Sequence, residues 1–214
     1  MYHVRHALLA LYDPLPLTDR LFVRIRLLLS NLYLLERYVP SEGRILDIGC
    51  GHGLLSNLLA LTSPKRQVLG IDINLKKIAA AQRTIGERVN IRFRAGDAAS
   101  LVTSSYQAVT IADVMYLIPP ETQQAILFSI ADVLEPDGVL VWKSQSRQPW
   151  WKYAVTYAQE WLMIRLGLTQ GAGLFFMDCE ESIQAICAAG LRPAAVPMPS
   201  CRPYSDILFL GYKS

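Results

Sequence analysis

The sequence predicts a doubly wound α/β fold with a mostly parallel sheet. Short apolar runs alternate with segments of helical periodicity from Arg44 to Lys143, which is the pattern of parallel strands joined by right-handed helical crossovers. One such junction reads I-L-D-I-G-C-G-H-G-L-L-S from Ile45 to Ser56. It is a buried strand, a loop of alternating glycines and the start of a helix. Gly49, Asp72, Asp97 and Asp113 all fall at the carboxyl ends of expected strands. In open α/β sheets that is the edge where ligands bind.

The first helix runs over Leu54–Leu61. Gln67–Ile71 is the second strand and ends in Asp72, and Asn74 can cap a helix with Ile78, Ala81 and Ile85 on one face. Val89–Arg94 alternates apolar and basic residues, as a strand near a sheet edge does. Gln107–Ala112 is the fourth strand. Pro119 and Pro120 open a helix whose stripe is Ile126, Leu127, Ile130, Val133 and Leu134. The turn Glu135–Gly138 ends it and launches the strand Val139–Lys143. Trp150–Leu166 and Asp178–Ala189 read as helices. Leu191–Met198 and Ser205–Tyr212 complete seven strands, the last two close enough for antiparallel pairing.

No linker or internal repeat interrupts the chain, so one domain over residues 1–214 is expected. Its parts are a helical cap (1–40), a ligand-binding core (41–146), an inserted lid (147–177) and a C-terminal helix with a β-hairpin (178–214). Hydrophobic residues make up 52% and charged residues 18%, which excludes a disordered or highly charged scaffold. A mean hydropathy of +0.24 calls for an apolar surface somewhere. The net charge of +3 comes with no concentrated basic face, which disfavours nucleic acid as a partner. Cys50, Cys179, Cys187 and Cys201 lack C-x-x-C spacing and nearby histidines. No metal site is expected, and a reducing compartment, the cytoplasm, is the simpler reading. The apolar patch Ala7–Tyr12 is too short for a membrane span, and no cleavage site follows it.

The loop is informative for what it lacks. A dinucleotide fingerprint would need a third glycine where Leu54 stands, and a phosphate-cradling loop would need a lysine after the glycines. What remains is a nucleoside carrying an uncharged or zwitterionic tail. On these residues the segment resembles the first motif of class I S-adenosylmethionine-dependent methyltransferases, and the likeness extends over Arg44–Lys143. Leu134–Gly138 is similar to the family's L-x-P-G-G turn, with Asp137 in place of the first glycine, a position where Asp tolerates left-handed backbone.

The resemblance implies a Rossmann-like methyltransferase fold with S-adenosylmethionine as cofactor. By it, Gly49, Cys50 and Gly51 approach the methionine portion, and Asp47 orients the loop and the ammonium. Asp72, 21 positions after Gly51, takes the ribose with Ile73 beside it. Asp97 and Ala98 take the adenine, and the carbonyl around Ala112 meets the methionine amino group. Helix charge and capping are the plainer readings of Asp72 and Asp97. Methyl transfer demands mainly that nucleophile and methyl carbon be held in line, so no catalytic residue is assigned. Tyr116, Lys143 and Trp151 are the substrate-site candidates. His3, His6 and His52 show no carboxylate partner in the sequence, and the first two sit in an N-terminus read as mobile.

Nucleobase methylation is disfavoured, because the proline pair Pro119–Pro120 comes too late after the fourth strand to form the base-binding tetrad. Leu21–Leu35 carries 11 apolar residues of 15 and, read as one helix, is apolar around most of its circumference. The Trp-rich segment from Pro149 to Arg165 could cover an acceptor, with Gly167–Gly173 as its hinge. Together they suggest a small hydrophobic or lipid-like acceptor. Peripheral membrane contact, packing on the sheet and a homodimer all stay open. The alternatives are a non-catalytic S-adenosylmethionine-binding or scaffold protein and a nicotinamide-dependent oxidoreductase.

Overall fold

The computed structural model describes residues 2–97, 105–145, 147–165, 172–198 and 206–214. Its seven strands are β1 (Gly43–Ile48), β2 (Arg66–Asp72), β3 (Ile91–Ala95), β4 (Tyr106–Ala112), β5 (Leu134–Gln145), β6 (Arg192–Pro197) and β7 (Asp206–Tyr212). They form one sheet in the order β3-β2-β1-β4-β5-β7-β6. β1 and β2 pair in parallel, as do β2 and β3, while β7 runs antiparallel to both β5 and β6. The doubly wound class and the seven strands expected from the sequence are therefore present. β3 lies at the sheet edge, as its mixed apolar and basic alternation requires.

The chain forms two compact units, Met1–Thr110 and Ile111–Ser214. In the first, α1 (Tyr2–Ala10), α2 (Leu17–Leu29) and α3 (Leu32–Glu36) precede the sheet, α4 (Leu54–Thr62) joins β1 to β2, and α5 (Leu75–Gln82) joins β2 to β3. Two expectations are corrected here. The N-terminus is helical, with Leu8 and Tyr12 buried. Leu21–Leu35 is two helices, because Ser30 is extended (φ −99°, ψ 135°) and breaks the run between α2 and α3.

α1 and α3 share a packing partner in α4. α4 carries no charged residue, and every position from Leu54 to Ala60 is buried. The sheet covers one side of it, and α1 and α3 pack on another. Its polar residues must then find partners inside. Asn57 donates to the Tyr12 hydroxyl and the Thr84 hydroxyl, both at 2.8 Å, and accepts from Arg88 at 2.7 Å.

The segment after α3 is held by Arg66, the first residue of β2. Its guanidinium is buried and donates to the carbonyls of Pro40 (2.7 Å), Val39 (2.8 Å) and Leu59 (3.1 Å), to the Thr62 hydroxyl (2.6 Å) and to Glu36 (2.9 Å). A planar fork of five donors is suited to such a site, where lysine would leave acceptors unmet.

In the second unit α6 (Pro120–Val133) packs on β5, and α8 (Cys179–Ala188) packs on β6 and β7. Asp178 caps α8 in a capping box with Glu181. β5 begins at Leu134, five residues before the expected start at Val139, yet the chain bends there. Asp137 is left-handed (φ 60°), and a Cβ on Gly138 would lie 2.7 Å from the Glu135 carbonyl. α7 (Trp150–Arg165) is the helix expected over Trp150–Leu166.

Arg66→Met should lower unfolding free energy by about 3–5 kcal/mol, because it strands buried acceptors. Glu36→Gln, which leaves the carbonyl contacts intact, should cost no more than about 1 kcal/mol. Equal effects in chemical denaturation would refute the carbonyl anchorage. Gly70→Ala should cost about 1–3 kcal/mol by overpacking, since the new Cβ would meet Phe93 Cδ1 at 2.6 Å. Phe93→Leu in the same chain should recover part of that loss.

Candidate functional site: the glycine turn and the ends of β4 and β5

The turn after β1 passes through three left-handed glycines, Gly49 (φ 70°), Gly51 (φ 54°) and Gly53 (φ 75°). Two constraints act on them. At Gly53 a Cβ would lie 2.4 Å from the Phe93 ring, so the helix start can approach β3 only without a side chain. At Gly51 the nearest atom to a Cβ is Lys77 Cδ at 3.9 Å, an ordinary contact, so the left-handed backbone and not crowding is what favours glycine there.

Two carboxylates hold this turn. Asp72 Oδ2 accepts the Gly51 N–H and Oδ1 accepts the Asn74 N–H, each at 2.8 Å. Asn74 in turn caps α5 through Lys76 N and Lys77 N. Asp72 is half-buried, and each of its oxygens has lone pairs beyond the one bond shown here. Asp47 is 2% exposed and accepts from the Ser56 hydroxyl (2.5 Å) and the Thr110 hydroxyl (2.8 Å). Burial pushes its carboxyl up to about 6 despite those bonds and a backbone bond at Ser56. The Cys50 N–H donates to the Ile71 carbonyl at 2.9 Å, tying the turn to β2. Burial, then Asp47 and Asp72, push the Cys50 thiol well above its ordinary value.

His52 corrects the sequence reading, because it has a carboxylate neighbour. Nε2 stands 3.7 Å from Asp19 Oδ1 on α2, and the ring lies against Phe22 at 5.1 Å between centroids. Burial lowers its pKa, with Asp19 opposing. The partner is 33 positions away in sequence, a separation no local pattern reveals. Ser56, Thr110 and Asn57 were missed for the same reason. The one available signal was that polar residues inside an uncharged helix need buried partners.

The other candidates of the first unit lie at the surface. Ile73 is 62% exposed and follows directly on Asp72. Asp97 is exposed just after β3. Ala98 lies outside the described residues.

In the second unit, Ala112 ends β4 and is half-buried. Asp113 is left-handed (φ 58°), and its N–H donates to the Lys143 carbonyl at 3.2 Å. Lys143 Nζ is buried between Asp113 Oδ1 (2.5 Å) and Asp206 Oδ1 (3.2 Å). The structure thus places this candidate inside an ion triad, with its ammonium committed to two carboxylates. Tyr116 is buried and stacked on Phe176 at 4.6 Å, with Tyr153 edge-on to the same ring at 5.3 Å. The Phe175 N–H donates to the Tyr116 carbonyl at 2.7 Å and the Ala172 N–H to the Leu117 carbonyl at 3.0 Å. These bonds stitch the chain after α7 onto the turn that follows β4. Of the expected hinge, residues 167–171 lie outside the described residues. Beside this cluster is a cleft of about 610 Å³ lined by Gln124, Arg147, Tyr153, Phe176, Met177 and Glu181. Trp151 is half exposed, with Lys152 Nζ 5.4 Å above its ring.

Comparison with known proteins agrees with this geometry. Residues 45–138 match a family model described as a methyltransferase domain. This match bears out the resemblance to class I S-adenosylmethionine-dependent methyltransferases read from the sequence. The ubiquinone biosynthesis O-methyltransferase of Xanthomonas axonopodis pv. citri is 31% identical over 121 residues, 55% of this chain and 49% of that protein. The enzyme of the same name from Bordetella bronchiseptica is 26% identical over 178 residues, 80% of this chain and 71% of that one. The chain thus spans about half the length of the first of these relatives. An O-methyltransferase family protein from Burkholderia thailandensis superposes with a TM-score of 0.74 at 14% identity, covering 92% of this chain and 59% of that one. Magnesium protoporphyrin IX methyltransferase from Synechocystis PCC 6803, solved with bound S-adenosylhomocysteine, gives a TM-score of 0.67 at 23% identity, covering 86% and 80%. These structures establish the methyltransferase fold.

The residues present fit the cofactor this family uses. Backbone at Gly51 carries no side chain and is uncrowded, and the half-buried Asp72 beside it can accept further hydrogen bonds. Asp47 yields a signed pH prediction. A folded-state value near 6 against an ordinary 3.8 means its stabilising contribution is complete below about pH 4 and is lost as pH rises through 6. At neutral pH the buried charge costs on the order of 3 kcal/mol. The stability of the natural protein relative to Asp47→Asn should therefore fall between pH 4 and pH 7 in denaturant titrations. A difference independent of pH would rule out this titration.

Proposed function

We propose that this protein transfers the methyl group of S-adenosylmethionine to a small, hydrophobic or lipid-like acceptor, with catalysis mainly by positioning. The observation that carries the cofactor half is the bare left-handed backbone at Gly51 clamped by Asp72. In this reading Gly49, Cys50 and Gly51 lie along the methionine portion, and the Ala112 carbonyl receives its amino group. Asp72 accepts from the ribose hydroxyls, with Ile73, Asp97 and Ala98 around the adenine. Asp47 acts as a positioning residue through Ser56 and Thr110, since both its oxygens are engaged.

The bound cofactor supplies a sulfonium methyl that is already electrophilic, so the chain's own work is orientation and exclusion of water. The aromatic cluster of Tyr116, Tyr153 and Phe176 supports an apolar acceptor. The relatives named for ubiquinone biosynthesis methylate oxygen by their names, which supports a hydroxyl as acceptor atom here. Lys143, fixed between Asp113 and Asp206, is assigned to holding the ends of β4, β5 and β7 in register.

The test uses tritiated S-adenosylmethionine with an extract of the source cells, partitioned between chloroform and water. Label in the organic phase, absent with Asp72→Ala, is the expected result. Label confined to water would overturn the hydrophobic acceptor. Binding of S-adenosylhomocysteine without transfer in either phase would favour a non-catalytic binding protein. In calorimetry Asp72→Ala should weaken S-adenosylhomocysteine at least about tenfold, the value of one charge-assisted hydrogen bond. Unchanged affinity would remove Asp72 from the site.

A further inference from the structure

α7 is amphipathic in the reverse sense. A surface helix ordinarily turns its apolar stripe inward and its charges to water. Here Lys152, Thr156 and Glu160, at i, i+4 and i+8, are buried. Trp150, Trp151, Val155, Tyr157, Trp161 and Leu162 are exposed, Trp150 by 73%. Three of the four tryptophans of the chain stand on this face, and the fourth, Trp142, is buried. Leaving so much aromatic area in water is unfavourable by about 25 cal/mol per Å², so the face is built for a partner.

We propose that the exposed face of α7 docks on an anionic membrane surface. Tryptophan and tyrosine are the residues that favour the bilayer interface, where the ring is buried and its polar edge stays wet. The charge on α7 is complementary to anionic lipid. Its one carboxylate, Glu160, is buried, whereas Arg165 is exposed and lies 4.7 Å over the Trp161 ring. An exposed aromatic ring paired with an exposed cation suits a helix lying in the headgroup plane.

The same device recurs independently in the first unit. On α2, Leu17, Leu21, Ile25 and Leu28 follow one helical face and are all exposed, with Arg24 exposed beside them. The single acid of that helix, Asp19, faces His52. No helix among the described residues is long and apolar enough to cross a membrane. The proposal does not depend on the acceptor, and its test reads no methyl transfer.

Full-length protein is mixed with vesicles of phosphatidylcholine alone or of phosphatidylcholine with phosphatidylglycerol, and binding is followed by co-sedimentation and tryptophan emission. The expected result is a blue shift and pelleting with the anionic vesicles, declining with salt. Trp150→Ser with Trp161→Ser should weaken pelleting at least about tenfold, and Arg165→Glu should weaken it selectively for anionic vesicles. Leu21→Ser with Leu28→Ser tests α2 separately. Retained S-adenosylhomocysteine affinity shows that each variant is folded. Failure of the natural protein to bind anionic vesicles, or unchanged binding by the tryptophan variant, would overturn the proposal. So would a dimer in sedimentation velocity that Trp161→Ser abolishes without any vesicle binding, which would assign the face to a second copy.

Discussion

The glycine turn between β1 and α4 can exist only because two carboxylates hold it from opposite ends. Left-handed backbone at three alternate positions has no regular hydrogen-bond ladder of its own. Asp72 supplies an acceptor to the Gly51 N–H from the end of β2. Asp47 fixes the start of the turn by gathering the Ser56 and Thr110 hydroxyls, which belong to α4 and β4. The arrangement has a cost, because Asp47 is ionised in a site that disfavours charge. Its role in pinning a strand, a helix and a neighbouring strand to one point is the physical account of why a buried acid stands there.

Burial of α4 on every side extends this constraint outward. Once a helix loses all contact with water, its polar side chains become fixed connections. Asn57 links α4 to Tyr12 and to Arg88, and Arg66 gathers the segment from Glu36 to Pro40. The N-terminal helices are thus part of the packing around the cofactor turn. Tyr12 donates to the His52 carbonyl at 3.0 Å, so α1 and its following turn reach the glycine loop directly.

The second unit solves a different problem. The polypeptide after α7 must return to the sheet across the turn that follows β4, and it does so by backbone bonds to Tyr116 and Leu117 under a stack of aromatic rings. The chain after α7 is therefore anchored, while α7 turns its aromatic face outward. A cleft, an ion triad and an exposed tryptophan face all sit within about a hundred residues of chain.

The sequence alone determined the succession of strands and helices over residues 44–143. The glycine turn, the cap at Asn74 and the left-handed Asp137 all depend on neighbours within a few residues, and local chemistry fixes them through φ, hydrogen-bond reach and periodicity. Tertiary structure decided the partners of Asp47, His52 and Arg66, the helical state of the N-terminus and the break at Ser30. It also decided which face of α7 is outside. Periodicity states that a helix has two faces and does not say which one the rest of the chain will cover. Contacts between residues tens of positions apart settle that, and they arise only when the chain closes on itself.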